Sequence, residues 1–166
     1  MNKSISYYSA RYAFLYIIIA VVLYAVTAGL YKFAPDIAET VFSGGNSWMG
    51  IFAAIMPTLL VAQAFYKHEG RQTTRGEGWL MALIFAILAL VLSAVAVWIS
   101  LTLQPLSPAE VTELKSLFGE GLNILVTVGA VFGVFLILIN RLMLWSGLRG
   151  EAKKAERLAA KQARKG

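Results

Sequence analysis

Residues 79–103 read WLMALIFAILALVLSAVAVWISLTL, 25 residues without one charged side chain. A helix of this length rises about 37 Å, enough to cross the roughly 30 Å hydrocarbon core of a bilayer. A buried helix of a soluble domain rarely needs so long an apolar run. This stretch decides the class of the chain, and three similar stretches surround it. Residues 13–31 and 48–66 are also free of charge. Residues 122–144 carry one charge, Arg141, close to the end. The reading is an all-α protein, a bundle of four transmembrane helices.

Composition agrees. Hydrophobic residues make up 58% of the 166, charged residues only 14%, and mean hydropathy is +0.68. A soluble domain carries about a quarter charged residues. The first apolar stretch is longer than the core of a cleaved leader, so it is expected to remain as a span.

Orientation follows from lysine and arginine, which collect in cytoplasmic loops. Lys3 and Arg11 precede the first span, and Lys67, Arg71 and Arg75 lie between the second and third. Arg141, Arg149, Lys153, Lys154, Arg157, Lys161, Arg164 and Lys165 end the chain. These thirteen of the fifteen basic residues share one side, with only Lys32 and Lys115 on the other. Both termini are therefore expected in the cytoplasm. Trp48, Trp79 and Trp145 fall at span ends, where amphipathic rings favour the headgroup zone. Tyr8, Tyr12 and Tyr16 repeat every fourth residue and are expected to act there as anchors or in packing.

The loops are short. Pro35 opens a helical-looking stretch that runs to Phe42, before the turn signal Ser43-Gly44-Gly45-Asn46. Between the third and fourth spans, Ser107-Pro108-Ala109-Glu110 has capping-box spacing. Val111, Leu114, Leu117 and Phe118 then share a face, which predicts a short amphipathic helix. Thr74 and Glu77 form a second capping box ahead of the third span. The tail, 149–166, has seven basic and two acidic residues and reads as a helix continuing the fourth span. The chain thus divides into a membrane domain, 1–148, and a basic cytoplasmic tail, 149–166.

Little chemistry is written into the spans. No cysteine is present, so thiolate chemistry and disulfides are excluded. Ionisable residues inside spans mark proton and ion pathways, and none occurs away from the ends. His68 is the sole histidine, short of the partners a metal site or catalytic triad requires. No catalytic, cofactor-binding or metal-binding residues are assigned, and no cofactor is expected. The intramembrane polar residues Gln63, Asn123, Thr127 and Asn140 suit hydrogen bonds between helices. Gly129 and Gly133 form a GxxxG pattern expected to pack the fourth span against the small face Ala82, Ala86, Ala89, Ser93 of the third. Pro57 should kink the second span.

The second span and the loop after it carry a resemblance. Ala62-Gln63-Ala64-Phe65, His68-Glu69-Gly70-Arg71, Thr74 and Glu77-Gly78-Trp79-Leu80 resemble a family of small bacterial inner-membrane proteins. Its members have four spans and an Arg-x-x-Thr-x-x-Glu inner loop, here Arg71 to Glu77. Many have proline where this chain has Thr73. The resemblance implies a bacterial inner-membrane location and carries no assigned activity. Small multidrug transporters share the size and topology. They depend on a glutamate in the first span, and this first span has none.

The leading expectation is a non-enzymatic accessory or interaction protein of the inner membrane. Its partners would be membrane lipid, other membrane proteins or a second copy, with no signal for nucleic acid. The candidate functional loop is His68, Glu69, Arg71, Thr74 and Glu77. The alternative is a small homo-oligomeric channel or uncoupled transporter with Pro57, Gln63, Asn123 and Thr127 along its path.

Overall fold

A computed structural model describes residues 3–42, 47–103, 108, 111–112 and 122–164, and the side chains of all of these except 40–42, 47–50, 103, 122 and 125. The turn at 43–46, the Ser107 capping box and the body of the amphipathic helix expected before the fourth span lie outside the described residues.

All regular structure among the described residues is helical. The elements are α1 (Ile5–Phe33), α2 (Pro35–Phe42), α3 (Ser47–Glu69), α4 (Arg75–Leu103) and α5 (Leu122–Ala163). Among the described residues, three helices are long and apolar enough to cross a membrane: α1, α4 and the part of α5 from Val126 onward. The second expected span, on α3, is not among them; the side chains of its first residues, 47–50, lie outside those described.

Local signals set the helix ends. Ser4 caps α1, its hydroxyl accepting from the Tyr7 N–H at 3.3 Å. Pro35 then takes the first position of α2, where a missing N–H costs nothing. Gly70 closes α3 at φ +64°, its N–H donating to the Tyr66 carbonyl at 2.8 Å. Glycine adopts that left-handed conformation without steric cost.

Around the bundle α1 meets α3 and α4, and α5 meets the same two, so α1 and α5 stand diagonally opposite. Contacts fix the directions. Tyr12 reaches Ala54 while Tyr8 reaches Glu69, so α1 and α3 are antiparallel. Thr58 meets Asn140 and Gly147 faces Ala62, so α3 and α5 run the same way. The buried residues concentrate towards the end that carries the 70–74 loop, called here the loop end. They include Tyr8, Tyr12, Phe65, Met81, Phe85, Leu144 and Leu148, while Val21, Tyr24, Trp98, Ile124 and Val131 at the far end are exposed.

The three tyrosines lie inside. Tyr8 and Tyr12 are fully buried and Tyr16 nearly so. Their repeat marks the inward face of α1, which is the packing role of the two expected. Each hydroxyl reaches a different acceptor or partner: Glu69, the Ala54 carbonyl at 3.0 Å, and Ser93 at 2.7 Å. The Tyr12 ring also stacks on Phe85 with centroids 4.4 Å apart. In a low-dielectric interior a tyrosine needs such a partner for its hydroxyl.

Polar groups buried beside the Tyr12 hydroxyl link three helices. Pro57 has no N–H and loosens the helix around it. The Ala54 carbonyl receives Tyr12 and, at 3.5 Å, the Thr58 hydroxyl. Thr58 also bonds the Asn140 carbonyl oxygen, and Asn140 Nδ2 donates to the Leu136 carbonyl at 2.9 Å.

The close helix approach lies elsewhere than expected. A Cβ at Gly129 would meet nothing within 4 Å, and one at Gly133 only Leu90 Cδ1 at 4.0 Å. A Cβ at Gly147 would stand 2.8 Å from Ala62 Cβ and 3.6 Å from the Leu59 carbonyl oxygen. The GxxxG pattern sits in the exposed part of α5, whereas Gly147 lies level with the packed part of α3. On α4, Ala82, Ala86 and Ala89 are buried as anticipated, and Ser93 is exposed.

Candidate functional site

The loop end collects most of the chain's ionisable side chains. Gly70 turns the chain out of α3, and Thr74 starts α4 as the spacing foretold. The Glu77 carboxylate accepts from the Thr74 N–H at 2.8 Å, and the Thr74 hydroxyl accepts from the Glu77 N–H at 3.3 Å. Arg71 joins this capping box. Its two terminal nitrogens donate to the two Glu77 oxygens, each at 2.9 Å. The guanidinium also lies 5.5 Å from the Phe65 ring centre. The five-residue connection is thereby clasped at both ends.

The clasp fixes charge as well as shape. Arg71 and the Thr74 N–H hold the Glu77 carboxyl at about 2, well below its ordinary value of 4.5. Glu77 in return holds the Arg71 guanidinium protonated to still higher pH. A carboxylate so thoroughly paired is a poor general base near neutrality. Because the folded value is depressed, the clasp contributes fully above about pH 4.5 and is lost as pH falls from there towards 2. Glu77→Ala should remove both cap and ion pair, costing about 1–2 kcal/mol locally. Amide exchange across 70–78 should accelerate in this variant at pH 6. In the unmutated chain, intrinsic rates corrected, the same acceleration should appear only below pH 4.5. Equal protection in variant and parent would refute the clasp.

Other members of the expected loop find local uses. Glu69 accepts from the Lys3 N–H at 2.9 Å and from the Tyr8 hydroxyl at 3.4 Å, tying the start of α1 to the end of α3. His68 packs beside the rings of Tyr7 and Tyr8, at 5.9 and 6.3 Å. The five residues therefore share one end of the molecule, and four of them, Glu69, Arg71, Thr74 and Glu77, serve to hold it together. Among the described residues no three His, Asp or Glu side chains group as metal ligands.

The intramembrane polar residues are not brought together. Asn140 is buried with Thr58, which the sequence reading passed over although it follows Pro57 directly. Gln63 is exposed on the outer face of α3. Asn123 and Thr127 are exposed on the far part of α5, the Thr127 hydroxyl donating to the Asn123 carbonyl at 2.8 Å. Pro57, Gln63, Asn123 and Thr127 line no common path within one chain.

The outer face of α3 forms the floor of a cleft of about 630 Å³ at the loop end. Leu60, Gln63, Ala64 and Lys67 recur at helical spacing along it, with Arg11 and Leu15 on the α1 side and Glu151, Lys154, Ala155 and Leu158 on the α5 side. Lys154 pairs with Glu151 at 2.6 Å. The tail is thus part of the bundle's surface, and α5 continues through the expected boundary at 148 without a break. Family models, curated proteins and solved structures offer no match to this chain.

Proposed function

We propose that the chain is a four-span, non-enzymatic accessory protein of a bacterial inner membrane, with both termini in the cytoplasm, acting by association with other membrane components. In this reading α3 is the fourth crossing helix, and the loop end faces the cytoplasm because thirteen of the fifteen basic residues belong by sequence to that side of the spans. The observation that carries it is the length of α5. Its 42 residues extend about 63 Å, twice the hydrocarbon thickness. The basic segment therefore continues as helix past the cleft at the loop end, presenting Lys153, Arg157 and Lys161 to the aqueous side. Positive residues so close to a membrane each gain about 1 kcal/mol from anionic lipid. A helix with an exposed basic face is equally suited to an acidic partner segment.

One experiment has two readouts. Single cysteines introduced at Gln72 and Ala160 should label from the cytoplasmic side only, and one at Asn46 from the opposite side only. The native chain has no cysteine to confuse the result. Deleting residues 151–166 should leave that labelling pattern intact and remove most membrane proteins that co-purify with the chain. Undiminished co-purification would refute the accessory role, and reversed labelling the topology.

A further inference from the structure

A second cleft, of about 580 Å³, lies at the loop end on the opposite flank, between α4 and α5. It is lined by Arg75, Trp79, Leu138, Arg141, Leu142 and Trp145. Each helix contributes an arginine followed four residues later by a tryptophan. In a helix those two side chains share a face, and the antiparallel packing of α4 on α5 brings the two pairs together.

The lining holds two cations and no carboxylate. Arg141 has no ion pair among the described residues, and its Nη1 is buried without a hydrogen-bond partner. Its guanidinium is seated against Gly78, where a Cβ would come within 2.8 Å of Cζ, and lies 5.9 Å from the Trp79 ring centre. Arg149 stacks over Trp145 at 5.1 Å and adds a third cation at the rim. The protein thus holds a guanidinium at the end of an apolar span, and the described residues supply no anion for it. Such a charge is costly at membrane depth without a partner.

We infer that this cleft binds one anionic phospholipid, its phosphodiester between Arg75 and Arg141 and its acyl chains along Leu138 and Leu142. Guanidinium forks match phosphate oxygens in geometry and charge. Trp79 and Trp145 are each about half exposed, and their rings suit the zone where headgroup meets glycerol. The apolar floor below the arginines distinguishes a lipid from a soluble phosphate. The inference rests on the proposal that the loop end lies at the cytoplasmic interface.

The test is native mass spectrometry of the detergent-purified chain, titrated with phosphatidylglycerol or phosphatidylcholine, with tryptophan fluorescence followed in parallel. One phosphatidylglycerol should bind at least about tenfold more tightly than phosphatidylcholine and change the tryptophan emission. Arg75→Gln with Arg141→Gln should abolish that preference. Lys153→Gln with Lys161→Gln removes the same charge from the tail and should change it less than about twofold. Gly78→Ala should weaken the site by pushing the Arg141 guanidinium off its seat, with all charges kept. Equal affinity for the two lipids, or equal losses in the two double variants, would overturn the inference. So would full competition by the tail-less headgroup glycerophosphoglycerol at equal concentration. The wild-type lipid comparison decides the matter even if the arginine variant fails to fold. Loss of co-purifying proteins on deleting 151–166 leaves Arg75 and Arg141 in place, so failure of the accessory reading and failure of the lipid site are separable.

Discussion

Tyr12→Ala is expected to cost about 3 kcal/mol or more, and to lower the unfolding midpoint of the detergent-solubilised chain accordingly. The residue is fully buried, stacked on Phe85, and bonded to the Ala54 carbonyl beside Pro57. Alanine would leave a ring-sized void where α1, α3 and α4 converge. Lipid does not squeeze helices together as water does, so packing contacts carry much of the association. Tyr12→Phe keeps the stack and removes only the hydroxyl. It should cost about 0.6 and no more than about 1.7 kcal/mol, the average and the largest value for hydrogen bonds between membrane helices. Denaturant titration of the two variants separates packing from hydrogen bonding. A tyrosine serving only as a headgroup anchor would give a small effect in both.

Gly147→Leu should be comparably severe, about 3 kcal/mol, by forcing α3 and α5 apart. A Cβ already meets Ala62 Cβ at 2.8 Å, and the Leu59 carbonyl behind it belongs to the backbone and cannot turn aside. Gly129→Leu is the matched control. With nothing within 4 Å of its Cβ, it should change stability by less than about 0.5 kcal/mol. Thermal unfolding of the pair tests which glycine makes the close approach, and the reverse ranking would discard the packing described here.

Those two positions show how far the sequence could be read. The long apolar stretches, the α2 start at Pro35, the Thr74–Glu77 cap and the helical tail were all legible. Each depends on local chemistry or on composition. The small face of α4 at Ala82, Ala86 and Ala89 was legible too, but which side of α1 and of α5 faces inward was not. In a span that is apolar all round, periodicity gives no contrast between lipid and core. Tyr8, Tyr12 and Tyr16 fit a headgroup stripe and a buried stripe equally well by spacing. The structure decides because Ala54, Glu69 and Ser93 are placed to bond their hydroxyls. The glycines tell the same story. Gly129 and Gly133 have the better-known pattern, but rotation and axial register put Gly147 against Ala62. Both are set by Leu136, Asn140, Leu144 and Leu148, a stripe of period four that needs its partners to be recognised.

For the candidate site, the expected loop residues fall together at one end of the molecule, and their mutual use was only half visible in the sequence. The capping box is local and could be read; the Arg71 clasp on Glu77 depends on the left-handed turn at Gly70. The arginine–tryptophan cleft was missed because its halves lie more than sixty residues apart. The repeated Arg-x-x-x-Trp spacing at Arg75 and Arg141 was the available signal.

The unbroken α5 has a mechanical consequence. Its close approach to α3, at Gly147, can serve as a fulcrum. About 38 Å of helix lies on the membrane side of that point and about 24 Å on the tail side. No hinge separates the two arms, since the helix runs from Leu122 to Ala163 without interruption. A tilt of about 10° at the fulcrum would swing the membrane arm's tip by about 7 Å and the tail's tip by about 4 Å the other way. The helix is in this sense a first-class lever, with an apolar arm on one side of Gly147 and a basic arm on the other.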